Sequence, residues 1–102
     1  MKSIFSVVIV TFHSEEIIEK TIEHLLDQEI IIVDCSNNKK LKSDFNIKYP
    51  KIKYILSEEN LGYSAGNNLG IKYANKDDIL ILNPDAIIDK DNKLELINYI
   101  NE

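Results

Sequence analysis

One cysteine, no long apolar run and no excess of positive charge: in a chain of 102 residues these shortages remove several protein classes at once. Cys35 cannot close an intramolecular disulfide, so a disulfide-stapled secreted scaffold is excluded and a reducing cytoplasm is the expected setting. The apolar stretch from Ile4 to Phe12 is too short to cross a bilayer and carries no cleavage-site pattern, so it is neither an anchor nor a secretory signal. A formal charge of −5 argues against a nucleic-acid partner or a generic anionic-membrane surface. The local cluster Lys39, Lys40 and Lys42 suits a solvated loop. No low-complexity tract is present, and 44% hydrophobic with 28% charged residues fits one folded domain over 1–102 with a single core.

What is present alternates between strand and helix patterns. Ile4 to Val10 is a nearly continuous β-branched run, as expected of a strand covered on both faces in a parallel sheet. Ser14, followed by Glu15 and Glu16, suits a helix start, after which Ile17, Ile18, Ile22, Leu25 and Leu26 share a helical face. Ile30 to Val33 predicts a second strand, and the polar stretch from Asp34 to Pro50 a loop with room for a short helix. Lys53 to Leu56 predicts a third strand, Ser64 to Ala74 a helix, and Ile79 to Leu82 a fourth strand. Asp89 suits the cap of a last helix that turns Leu94, Ile97 and Ile100 inward. Strands separated by helix-length segments imply right-handed crossovers, hence a Rossmann-like three-layer α/β/α fold with a mainly parallel sheet of about four strands.

In such sheets ligands bind outside the carboxyl ends of the strands, which selects the polar residues to weigh. Thr11, Phe12 and His13 follow the first strand, Asp34 the second, Asn60 the third, and Asn83 and Asp85 the fourth. Asp85 is the strongest candidate ligand for a hard divalent cation, Mn²⁺ or Mg²⁺, because a carboxylate can share such an ion with phosphate oxygens. Asn83-Pro84-Asp85 is also good turn chemistry in its own right. Asp34 suits an acceptor for the ring N–H of a uracil-type or thymine-type base. Gly62 and Gly66, with Asn67 and Asn68, mark a helix start where backbone amides can meet an anion; the same glycines would also serve turn and helix packing.

These turns together resemble the nucleotide-sugar-binding N-terminal portion of a GT-A-fold family 2 glycosyltransferase, and the Asn-Pro-Asp motif is most similar to its rhamnosyltransferase-like branch. The resemblance covers essentially Ile4 to the last helix. It implies that Thr11 and Phe12 line the base pocket and that Asp34 holds the base. It further implies that Asn60, Gly62, Gly66, Asn67 and Asn68 close over the nucleotide and that Asp85 is the metal ligand. The implied activity is inverting, metal-dependent transfer from a UDP- or dTDP-sugar to the hydroxyl of a saccharide or lipid-linked acceptor, in the cytoplasm or peripherally at the inner face of the membrane.

Three departures matter. His13 stands where the family has asparagine, Lys39 lies near a usual aspartate, and Asn83 replaces the first aspartate of the metal motif. The family's acceptor half, with its catalytic base, would lie downstream, so the chain is expected to be a truncated or short form that lacks it, and no base is assigned. Such a form would leave a sheet edge unpaired, making a second copy of the chain a candidate partner. The alternative is a non-catalytic nucleotide-binding module acting with a partner chain. A phospho-receiver would need an acidic pair where Phe12 and His13 stand, a flavin domain a Ser/Thr-rich phosphate loop, and a sugar nucleotidylyltransferase a Gly-rich basic first loop. None is present.

Overall fold

The computed structural model describes residues 3–13, 15–57 and 62–101. The proposed cap Ser14 and the candidate Asn60 therefore lie outside the described residues. Eight elements alternate: β1 (Ser6–Thr11), α1 (Glu15–Ile22), β2 (Glu29–Asp34), α2 (Lys39–Lys48), β3 (Lys53–Leu56), α3 (Gly62–Ile71), β4 (Ile79–Leu82) and α4 (Lys90–Ile100). The strands form one parallel sheet in the order β3-β2-β1-β4. This is the α/β architecture anticipated, with helices on both faces.

Alternation along the strands divides the core in two. Val7, Ile9, Ile30, Ile32, Tyr54 and Leu82 meet Ile18, Ile22 and Leu25 of the α1 region, Phe45 of α2 and Ile97 of α4. On the other face Val8, Ile31 and Val33 meet Leu69 of α3. The apolar strand runs follow from this double cover, since β1 and β2 lie between two helical layers.

Glycine sets the spacing of α3. A Cβ on Gly66 would stand 2.8 Å from Val10 Cγ1, and one on Gly70 2.5 Å from Val8 Cγ1. Gly66 thus faces the sheet, and its missing side chain serves helix packing rather than an approach to ligand.

Several boundaries and faces differ from expectation. The polar stretch after Asp34 holds a full ten-residue helix, capped by Asn38 Oδ1 accepting from Leu41 N at 3.0 Å, with Phe45 as its buried anchor. Helix α3 begins at Gly62 rather than Ser64 and ends at Ile71. Asp89 caps α4 as expected, in a reciprocal box with Asn92. Ile17, Leu26 and Leu94 are 44%, 50% and 55% exposed, so they leave the core to Ile18, Ile22, Leu25 and Ile97.

At the amino ends of the strands Glu29 ties four segments together. It accepts from Ser6 Oγ at 2.5 Å, Asn75 N at 2.7 Å, Asn75 Nδ2 at 2.8 Å and Lys53 Nζ at 3.1 Å. Burial works against its charge, but these donors outweigh it and hold the carboxyl down at about 2.

Candidate functional site

The chain runs from β1 to β2 and β3 on one side of the sheet and returns to β4 on the other, so the direction of winding reverses between β1 and β4. At the carboxyl ends of these two strands lies a cavity of about 440 Å³, the place where doubly wound sheets hold ligands. Val10, Thr11 and Phe12 of the β1 end form one wall. Gly62 and Tyr63 at the start of α3 form another, and Asn83, Pro84 and Asp85 after β4 a third, with Ile17 and Cys35 completing the lining.

The third wall is a fixed turn. Ala86 N donates to Asn83 O at 3.0 Å across Pro84 and Asp85, the spacing of a β-turn whose proline presets the backbone. Thr21 of α1, 1% exposed, donates its hydroxyl to Pro84 O at 2.5 Å. Asp85 is thereby carried on anchored backbone while its side chain stays exposed. Asn83 is also exposed, and its Oδ1 accepts from Tyr63 Oη at 3.1 Å.

Two exposed aromatic rings border the opening, Phe12 at 52% and Tyr63 at 51%. Phe12 meets the His13 ring edge-on at 4.5 Å between centroids. His13 takes a positive φ of 55° and does not line the cavity. Gly62, at φ 75°, supplies the left-handed residue that opens α3.

Asp34 is placed differently from its expected position. It is 1% exposed and does not line the cavity; its neighbour Cys35 does. Its Oδ1 accepts from Ser36 N at 2.8 Å and Ser36 Oγ at 2.6 Å, and its Oδ2 from Tyr54 Oη at 2.5 Å. Asn67 is 6% exposed, its Oδ1 without a hydrogen-bond partner among the described residues, whereas Asn68 is exposed on α3. The structure therefore brings Thr11, Phe12, Gly62, Asn83 and Asp85 around one space, and leaves His13, Asp34, Gly66, Asn67 and Asn68 outside its lining. Val10, Ile17, Cys35, Tyr63 and Pro84 enter the lining without having been marked as binding residues; Tyr63, an aromatic beside Gly62, and Pro84, between Asn83 and Asp85, carried signals that could have found them.

Among the described residues no three His, Cys, Asp or Glu side chains cluster closely enough to hold a metal by themselves. Asp85 is the one carboxylate among the described lining residues. A single carboxylate fits a cation such as Mg²⁺ that retains water and draws its remaining oxygens from a ligand's phosphates, and does not fit an all-protein cage. Among the described residues no helix is long and apolar enough to cross a membrane.

Comparison with known proteins agrees with this picture. Residues 6–102 match the family described as Glycosyl transferase family 2. The chain is 38% identical over 96 residues to the low-salt glycan biosynthesis hexosyltransferase Agl10 of Haloferax volcanii, covering 89% of this chain and 31% of that protein. It is 39% identical over 87 residues to the bifunctional protein GlmU of Methanococcus maripaludis, covering 85% of this chain and 20% of that one. Among solved structures, S. aureus TarS 1-349 superposes with a TM-score of 0.77 at 24% identity, over 99% of this chain and 32% of that one, a likeness of fold. The chain thus spans a third or less of the length of each of these three proteins.

Proposed function

The chain belongs to glycosyl transferase family 2, and from that premise we propose that it forms the nucleotide-diphosphate-sugar site of a transferase, using the cavity between β1 and β4. The observation that carries this reading is the convergence, at the point where the winding reverses, of an exposed carboxylate, an exposed amide and the opening turn of a ten-residue helix. The amide dipoles at a helix start favour a diphosphate. Asp85 would hold Mn²⁺ or Mg²⁺ together with the diphosphate, and the cation would supply charge neutralisation to the departing nucleoside diphosphate. Thr11 and Phe12 suit the nucleoside end, Phe12 as an aromatic at the rim of the cavity. Asp34 comes into this reading as the acceptor for a uracil or thymine N–H, since a carboxylate oxygen offers two acceptor positions and the Tyr54 hydroxyl takes one of those on Oδ2.

A UDP- or dTDP-sugar as donor, a saccharide or lipid-linked acceptor and an inverting displacement at the anomeric carbon complete the proposal. A base to deprotonate the acceptor hydroxyl is not among the described lining residues, where Asp85 is the one carboxylate and histidine is absent. That observation also favours a second reading, a module that binds nucleotide and acts with a partner chain. Exposed Ile79 and Ile81 on the edge strand β4 support self-association as a companion property.

Thermal denaturation with UDP, dTDP, CDP, ADP and GDP, each with and without MnCl2, tests the proposal, because a ligand that binds only the folded state raises its melting temperature. UDP or dTDP with Mn²⁺ should give the largest rise. Equal small shifts across the panel would remove the nucleotide site.

A further inference from the structure

Asn83 stands where a carboxylate would make a second acidic ligand beside Asp85, and the geometry around it gives it another task. Its Oδ1 accepts the Tyr63 hydroxyl at 3.1 Å, and both side chains are exposed in the lining of the same cavity. A carboxamide is planar, with an acceptor on one side and two N–H donors on the other. With the oxygen turned to Tyr63, Nδ2 points away from the tyrosine, and it has no hydrogen-bond partner among the described residues. The backbone of Asn83 is held independently by the bond from Ala86 N, so rotation about the side chain is what Tyr63 controls.

We propose that Asn83 is a hydrogen-bond donor to the diphosphate of the bound ligand rather than a ligand of the cation, and that Tyr63 is the positioning residue that keeps the amide in that orientation. This rests on reading the cavity as a nucleoside-diphosphate site and assigns the labour within it. Asp85, carrying the negative charge, takes the cation, whereas Asn83, neutral and with its donors free, takes the anion directly. Part of the diphosphate affinity is then independent of metal. An aspartate at position 83 would reverse this, because a second carboxylate repels the diphosphate until a cation lies between them.

The test is titration calorimetry of wild type, Tyr63→Phe and Asn83→Asp with UDP and with uridine, each in EDTA and in MnCl2. Tyr63→Phe retains the ring and should weaken UDP by about three- to tenfold in EDTA, the range for one hydrogen bond between neutral groups, while leaving uridine unchanged. A role in packing alone would move uridine and UDP together, and that result overturns the positioning role. Asn83→Asp should weaken UDP by about tenfold or more in EDTA and make binding more dependent on Mn²⁺. Asn83→Asp that binds UDP as tightly as wild type in EDTA and more tightly in Mn²⁺ would make position 83 a cation ligand and overturn the donor role. If wild type binds no UDP in either buffer, the nucleotide reading itself fails and the inference falls with it; loss confined to the variants separates the two.

Discussion

Tyr54 on β3 donates its hydroxyl to Oδ2 of Asp34 on β2 across 2.5 Å, with the carboxylate 1% and the tyrosine 8% exposed. Register explains the meeting: Tyr54 pairs with Ile32, and Asp34 lies two residues further along β2 on the same face. The tyrosine ring is in turn packed on Phe45 of α2 at 5.1 Å. The strand end next to the cavity is thus braced by a polar contact set into the core.

Tyr54→Phe keeps the ring on Phe45 but removes the donor from a buried carboxylate. It should cost about 1 to 3 kcal/mol of stability. Urea denaturation checks this, and an unchanged midpoint would mean that the hydroxyl bond contributes nothing net.

Asp85→Asn removes the charge of an exposed turn residue whose backbone is held by Thr21 and Ala86. The melting temperature without ligand should stay unchanged, while the extra shift that Mn²⁺ adds to UDP should disappear. A variant retaining the full metal-dependent shift would reduce Asp85 to a turn former.

Thr21→Val is nearly isosteric and deletes the hydroxyl that reaches Pro84 O, leaving that carbonyl without this donor. A loss of about 1 kcal/mol is expected, together with weaker Mn²⁺-dependent UDP binding because the turn carrying Asp85 is less fixed. Stability and binding that both match wild type would count against the pin.

Glu29 gives the fold a signature in acid. Its carboxyl is held at about 2, below the ordinary 4.5, so the folded state binds fewer protons than the unfolded one. The stabilisation is complete above pH 4.5 and is lost as pH falls from there through 2. Glu29→Gln should therefore be less stable than wild type at neutral pH by an amount on the order of 2 to 3 kcal/mol, and the two urea midpoints should converge near the lower limit. A constant gap across that window would remove Glu29 as its cause.

How far the sequence carried these conclusions differs by element. The strands were legible because burial on both faces leaves uninterrupted apolar runs such as Ile30-Ile31-Ile32-Val33. Helix α2 was not, since Lys39–Lys48 is mostly polar, with Phe45 its one buried residue, and depends on the Asn38 cap. Helical spacing grouped Ile17 with Ile18 and Ile22, but only packing could show that Ile17 borders the cavity. Strand ends identified Thr11, Asn83 and Asp85 correctly as neighbours of one space. The bonds that hold them, Thr21 to Pro84 and Tyr54 to Asp34, join residues 63 and 20 positions apart and exist only once the sheet is assembled.

The most direct measurement is a backbone NMR titration of the 102-residue chain with UDP in MgCl2. The largest shifts should fall on Thr11, Phe12, Gly62, Tyr63, Asn83 and Asp85, around the crevice between β1 and β4. Shifts concentrated instead on the separate groove between α4 and the segment after α1, at Glu23, His24, Leu94 and Ile97, or no shifts at all at saturating UDP, would contradict the assignment of the nucleotide site.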